Sequence, residues 1–176
     1  MTTDFLAPTL VRAQPRLRLR SDEVADGGRL RTPQRAGLLK GGGLDVSPSL
    51  QWSGAPFGTL SYAVTAHDST GRCYWAVADI SGGVTSLVVD AGNGVGERLP
   101  SVAKQLRNDL GLARYLGPAP AALGLPGRFI FTVYAVDVGR LPLTRHAGPR
   151  ELSAALEIHE VGRATLTTAY GWTPPR

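Results

Sequence analysis

Two apolar runs, Leu60 to Ala66 and Cys73 to Ile80, constrain this chain more than any other feature. The first alternates, with Leu60, Tyr62, Val64 and Ala66 on one face and Ser61, Ala63 and Thr65 on the other, the two-residue period of a strand. The second is apolar almost throughout, which predicts a strand covered on both faces. After His67 and Asp68, only Ser69-Thr70-Gly71-Arg72 separates the runs, so a tight antiparallel return is expected with Asp68 at the strand end. A strand buried on both sides needs material above and below it, and the chain must fold in layers.

The remaining segments supply more strands and one helix. Leu17-Arg18-Leu19-Arg20 alternates apolar and charged residues, Ser86 to Val89 reads as a short strand, and Arg163 to Tyr170 as a closing one. Arg128 to Val136 is the clearest core strand, setting Phe129, Phe131 and Val133 against Ile130, Thr132 and Tyr134. Pro149 to His159 is predicted helical: Pro149 and Glu151 suit its first turn, and Leu152, Ala155 and Leu156 share a face. Ala25-Asp26-Gly27-Gly28 reads as a turn, Gly41-Gly42-Gly43 as a loop tip, and Leu99 to Pro120 as loop with at most a short helical turn. With 22 Gly and 13 Pro among 176 residues, short strands and turns are favoured over a helical bundle. The expected architecture is mostly β, antiparallel sheets packed on each other with one C-terminal helix. An irregular tail over 1–16 precedes a single domain over 17–176, and no internal repeat is visible.

The 19 Lys and Arg against 14 Asp and Glu give a net charge of +5, unevenly placed. Residues 1–40 hold eight bases (Arg12, Arg16, Arg18, Arg20, Arg29, Arg31, Arg35, Lys40) and four acids, so the body of the chain is nearly neutral. A nucleic acid or anionic membrane surface is one reading of residues 12–35, and a soluble Arg-rich edge is the blander one. Cys73 is the only cysteine, which excludes an intrachain disulfide and fits a reducing compartment. Pro8, Arg12 and Pro15 interrupt residues 1–20, no signal peptide or membrane span is read, and a cytoplasmic protein is the expectation.

Four segments in fixed order carry a resemblance. Leu44-Asp45-Val46-Ser47-Pro48-Ser49-Leu50-Gln51-Trp52-Ser53-Gly54-Ala55-Pro56 leads into the strand that ends on Asp68. Asn108-Asp109-Leu110-Gly111 is followed by Tyr115-Leu116-Gly117-Pro118-Ala119-Pro120. Gly127-Arg128-Phe129-Ile130-Phe131-Thr132-Val133-Tyr134-Ala135 forms the third, and Arg163-Ala164-Thr165-Leu166 with Tyr170-Gly171 the last. From about Leu17 to Gly171 the chain resembles the phosphatidylethanolamine-binding protein family, in its bacterial, Raf kinase inhibitor-like branch. The resemblance implies that family's fold, a non-enzymatic binding or regulatory role, no cofactor, a homodimer, and either a small anionic or zwitterionic ligand or a protein partner.

In that family an Asp-Pro-Asp-x-Pro loop, a His-Trp pair, a Gly-Pro-x-Pro turn and a second His converge on a small anion pocket. Imidazoles and backbone N–H groups donate to a phosphate or carboxylate there. Carried onto this sequence, the resemblance implies a ligand-binding set of Asp68, Tyr74, Trp75, Gly117, Pro118, Ala119, Pro120 and Arg128. The departures are substantial. Ser69-Thr70-Gly71-Arg72 replaces the longer loop, Tyr74 and Gly127 stand at the two His positions, Phe129 at a Tyr, and Ala121 at the last Pro. Losing two charge-assisted donors would weaken phosphate binding by about 3–6 kcal/mol, roughly a hundredfold to ten-thousandfold. Arg72 and Arg128 are candidate compensators.

Each residue also has a structural reading. Asp68 is a pocket carboxylate or a turn cap, Tyr74 a pocket wall or a filler of space, Arg128 a ligand cation or a sheet-edge residue. Trp52 belongs to the core, Cys73 reads as an inert buried thiol, and His67 should face away from Asp68. No metal-ligand spacing, phosphate loop or nucleophile elbow is present, so no catalytic or metal residue is assigned. The alternatives to a binding protein with a degenerate pocket are a small hydrolase using Asp68 and Tyr74, and an anionic-surface binder using the basic N-terminal region.

Overall fold

The computed structural model describes residues 16–119, 127–144 and 146–171, which form two antiparallel sheets and one α-helix. In chain order the elements are β1 (Arg18–Arg20), β2 (Leu50–Ser53), β3 (Ser61–Asp68), β4 (Cys73–Ser81), β5 (Ser86–Leu87), β6 (Lys104–Gln105), β7 (Gly127–Val136), α1 (Pro149–His159) and β8 (Glu160–Tyr170). A small sheet runs β1-β2-β5 and a large one β6-β4-β3-β7-β8. The tail read over 1–16 lies outside the described residues except for Arg16.

The large sheet is the middle layer. Between it and the small sheet pack Leu50, Trp52, Tyr62, Val64, Trp75, Phe129, Phe131 and Leu166. On its other face Ala63, Cys73, Ala76 and Ala78 meet Leu152, Ala155 and Leu156 of α1. The alanines on that side let the helix lie close, while the bulky aromatics fill the inter-sheet space. Trp75, Phe129 and Phe131 are fully buried, each contributing about 1.5–3 kcal/mol through removal of its ring from water. The two-sided burial expected of Cys73 to Ile80 is what the structure has.

Sequence and structure part at a few places. Leu60 precedes β3 and is 57% exposed, because the chain is still leaving the turn in which Thr59 N–H donates to Pro56 O. β2 had no expected element and the two-residue β6 falls in the stretch read as loop, both being too short to show a period. The helix matches its expected range, with Glu151 Oε2 accepting from Gly148 N–H at 3.0 Å at its start.

Register places the candidate site. β7 pairs with β3 so that Phe129 lies opposite Asp68, and with β8 so that Gly127 lies opposite Tyr170. Between β3 and β4, His67 pairs with Cys73 and Ala66 with Trp75, which leaves Tyr74 as an extra, bulged residue. The bulge turns Tyr74 as well as Trp75 into the inter-sheet core.

Candidate functional site at the Asp68 strand end

The β3–β4 return is built around the Asp68 carboxylate. Gly71 sits at φ +87, a left-handed conformation open to glycine, and its N–H donates to Asp68 O at 3.0 Å. Asp68 Oδ1 accepts from Thr70 N–H at 2.9 Å, Thr70 Oγ1–H at 2.6 Å and Arg72 N–H at 3.2 Å. Asp68 Oδ2 accepts from the Tyr74 hydroxyl at 3.1 Å. The carboxylate is therefore both a turn cap and a member of the cluster.

Electrostatics follow from these bonds. Burial pushes the Asp68 pKa up, but the donors from Thr70, Arg72 and Tyr74 outweigh it and hold it below its usual value. Tyr74 is pushed up to about 12 by burial and by the neighbouring Asp68 charge. Burial, then Asp68, also raises Tyr170. At neutral pH the cluster is one carboxylate and two neutral phenols. Phe129 forms its floor, meeting Tyr74 edge-on at 5.5 Å and Tyr170 at 6.2 Å between ring centres. The Arg72 guanidinium lies 5.9 Å from the centre of the Tyr74 ring, within cation–π reach.

Gly127 stands where the resemblance expects a second His. A Cβ placed there would come within 2.5 Å of Tyr170 Cζ and 2.7 Å of its hydroxyl oxygen. The Tyr170 phenol occupies the room that a side chain at 127 would need. Sequence reading missed this role of Tyr170. The signal was the cross-strand pairing of the closing segment with Gly127, which follows from register rather than from either motif.

The other predicted residues scatter. Trp75 is buried, donating its indole N–H to Gln105 Oε1 at 2.9 Å and meeting Tyr115 edge-on, so it backs the core. Gly117 is locked in place: its N–H donates to Asp45 Oδ1 at 2.8 Å, and a Cβ would collide with the Arg35 backbone. Pro118 O accepts from Ala36 N–H at 3.3 Å, and Ala119 lies against Gly41. Pro120 lies outside the described residues. Arg128 is exposed on the opposite face of β7 from Phe129, beside Asp26, Thr165 and Thr167, and is not brought to Asp68. Of the two candidate compensators only Arg72 reaches the cluster. Arg18 and Arg20 are exposed on the small sheet beside Gln51 and Ser53.

Two further polar residues frame the site. Buried Asp45 sits at φ +54 and holds both Gly117 and Leu38 N–H, the latter at 2.6 Å. Buried Asn108 donates to Tyr74 O at 3.2 Å and Arg114 O at 3.1 Å, and accepts from Leu110 and Leu112. Asp109 Oδ2 accepts from Cys73 N–H at 2.7 Å. Asn108 and Asp109 thus hold backbone around Tyr74, and Asp45 holds the Gly117 turn.

Chemically, the cluster offers an anion little. Its carboxylate repels one, the Tyr74 proton is already donated to Asp68, and neither imidazole position holds an imidazole. General base catalysis needs a group poised near the working pH. Asp68 is held too acidic and Tyr74 too basic for that. Among the described residues no three His, Cys, Asp or Glu side chains are grouped to hold a metal ion, and no helix is long and apolar enough to cross a membrane.

Comparison with known proteins agrees on one family. The family model described as "Phosphatidylethanolamine-binding protein" matches residues 20–171. The UPF0098 protein YbcL of Escherichia coli is 34% identical over 155 residues, covering 85% of each chain. The UPF0098 protein YbhB of the same organism is 30% identical over 162 residues, covering 88% of this chain and 99% of its own. The crystal structure of E. coli YbcL, described as a new member of the mammalian PEBP family, superposes with a TM-score of 0.85 at 32% identity, over 92% of this chain and 100% of that one.

Proposed function

Because this chain belongs to the phosphatidylethanolamine-binding protein family, we propose that it is a non-enzymatic binding or regulatory protein whose Asp68 site has lost high-affinity anion capture. One observation carries the reading: both imidazole positions are taken up by phenols, Tyr74 bonded to Asp68 and Tyr170 standing over Gly127. A phosphate entering here would have to break the Tyr74–Asp68 bond and sit beside an ionised carboxylate. Arg72 supplies one cation, and a single exposed arginine offsets only part of two lost charge-assisted donors.

Calorimetric titration with phosphoethanolamine and with phosphotyrosine tests this. Dissociation constants weaker than about 1 mM are expected, and micromolar binding of either would sink the reading. A gain-of-function variant makes the test two-sided. Gly127→His alone would collide with Tyr170, so the combination is Tyr74→His, Gly127→His and Tyr170→Ala. Phosphate affinity should rise by at least tenfold; no gain would argue against the geometry described for the site.

A further inference from the structure

On the far face of the large sheet, α1 covers only part of the strands beneath it. Its Leu152 and Leu156 pack on the alanine-rich part of the sheet, and beyond them lies a cleft of about 290 Å³. Thr65, His67 and Tyr134 form its sheet wall, and Glu157 stands on its helix rim. The family's pocket lies on the other face, since His67 and Asp68 are successive residues of one strand.

The charges in this cleft are not equivalent. Arg163 is held by both carboxylate oxygens of Glu160 and lies 5.3 Å from the centre of the Tyr134 ring, so its charge is already neutralised. Glu157 has no hydrogen-bond or ion-pair partner among the described residues. The His67 ring makes no hydrogen bond among them either, and its nearest charged influences, Asp109 and Asp68, are both anionic. With His67 neutral, the cleft carries one unmatched negative charge beside an apolar floor of Leu152, Leu156 and the Tyr134 ring.

From this geometry we infer a second ligand site, selective for a small organic ammonium: an apolar or aromatic body on Leu152 and Leu156, its protonated amine paired with Glu157 and turned toward the His67 imidazole. An anion of the same shape would meet Glu157 with no free cation to balance it.

The probes are phenethylamine and phenylacetate, aromatic bodies of similar size and opposite charge, titrated into the full chain and followed by amide and imidazole NMR. Phenethylamine is expected to bind with a dissociation constant on the order of 1–10 mM. It should shift Thr65, Ser153 and Leu156 and leave Gly127 and Tyr170 unmoved. Burial already lowers the His67 pKa, and an added ammonium should lower it further. Glu157→Gln should weaken binding roughly fivefold, and Ser153→Trp, an exposed helix position on the cleft rim, should abolish it. The inference is overturned if phenylacetate binds as tightly, if the His67 titration moves upward with the amine, if Glu157→Gln changes nothing, or if the shifts map to Tyr170. Those outcomes leave the reading of the Asp68 site standing, because the two sites share no side chain.

Discussion

His67 and Asp68 are neighbours in the chain, yet β3 sends them into opposite environments. On the Asp68 side the carboxylate is matched: four donors meet it, and the rings of Tyr74, Phe129 and Tyr170 interlock. On the His67 side Arg163 is paired with Glu160, but Glu157 and the imidazole face an open cleft with no hydrogen-bond partner among the described residues. The contrast teaches that the availability of polar groups, rather than their number, decides what a site can bind. A saturated cluster behaves as a piece of core. An unsaturated cleft remains a receptor.

The largest way to break this contrast is to remove the floor of the closed side. Phe129 is fully buried and touches both phenol rings. Phe129→Ala should cost about 3–5 kcal/mol of stability in urea unfolding. A cost near 1 kcal/mol would mean that the cluster is loosely packed and the closed description fails. Next comes Asp45→Ala, which strands the Gly117 and Leu38 N–H groups and places alanine at φ +54. About 2–4 kcal/mol is expected, and Asp45→Asn, which suits φ +54 but offers one acceptor oxygen to two N–H donors, should lose about half of that or more. An Asp45→Asn variant as stable as wild type would show that the paired N–H bonds do not hold the Gly117 turn.

Much of the fold was legible because burial writes itself into periodicity. The two-sided strand Cys73–Ser81, the alternation of Phe129, Phe131 and Val133, and the capped helix Pro149–His159 each carry their signal locally. The site was less legible, because its decisive contacts join residues far apart in sequence. Nothing near Gly127 announces that Tyr170 fills its space; the β7–β8 register does. Strand alternation does turn Arg128 away once Phe129 is placed inward. Asp45 was visible as part of a motif, but its role depends on where the Gly117 turn docks.

A smaller and sharper test is Tyr74→Phe, which keeps the ring on Phe129 and deletes the bond to Asp68. A loss of about 1–2 kcal/mol is expected at pH 7. Its pH dependence has a definite sign. The folded pKa of Asp68 lies below its ordinary 3.8, so its contribution is present above that value and is lost as pH falls through the folded value. Removing one donor moves the folded pKa back up. The deficit of Tyr74→Phe relative to wild type should therefore shrink as pH falls through the folded Asp68 value. A deficit independent of pH would locate the damage in packing instead.

The smallest expected effect bears most directly on the open side. Glu157 is an exposed helix residue with no partner among the described residues. Glu157→Gln should thus leave stability within about 0.5 kcal/mol of wild type, a melting shift of no more than about 2 °C for a chain of this size. The value lies in setting it beside Tyr74→Phe. Each variant deletes one ionisable or donating group of a candidate site, and the two differ in whether that group is already engaged. If Glu157→Gln proved as costly as Tyr74→Phe, the Glu157 carboxylate would be stabilising the protein through α1 or its surroundings. The cleft would then be a second saturated region, and the distinction between the two faces of β3 would disappear.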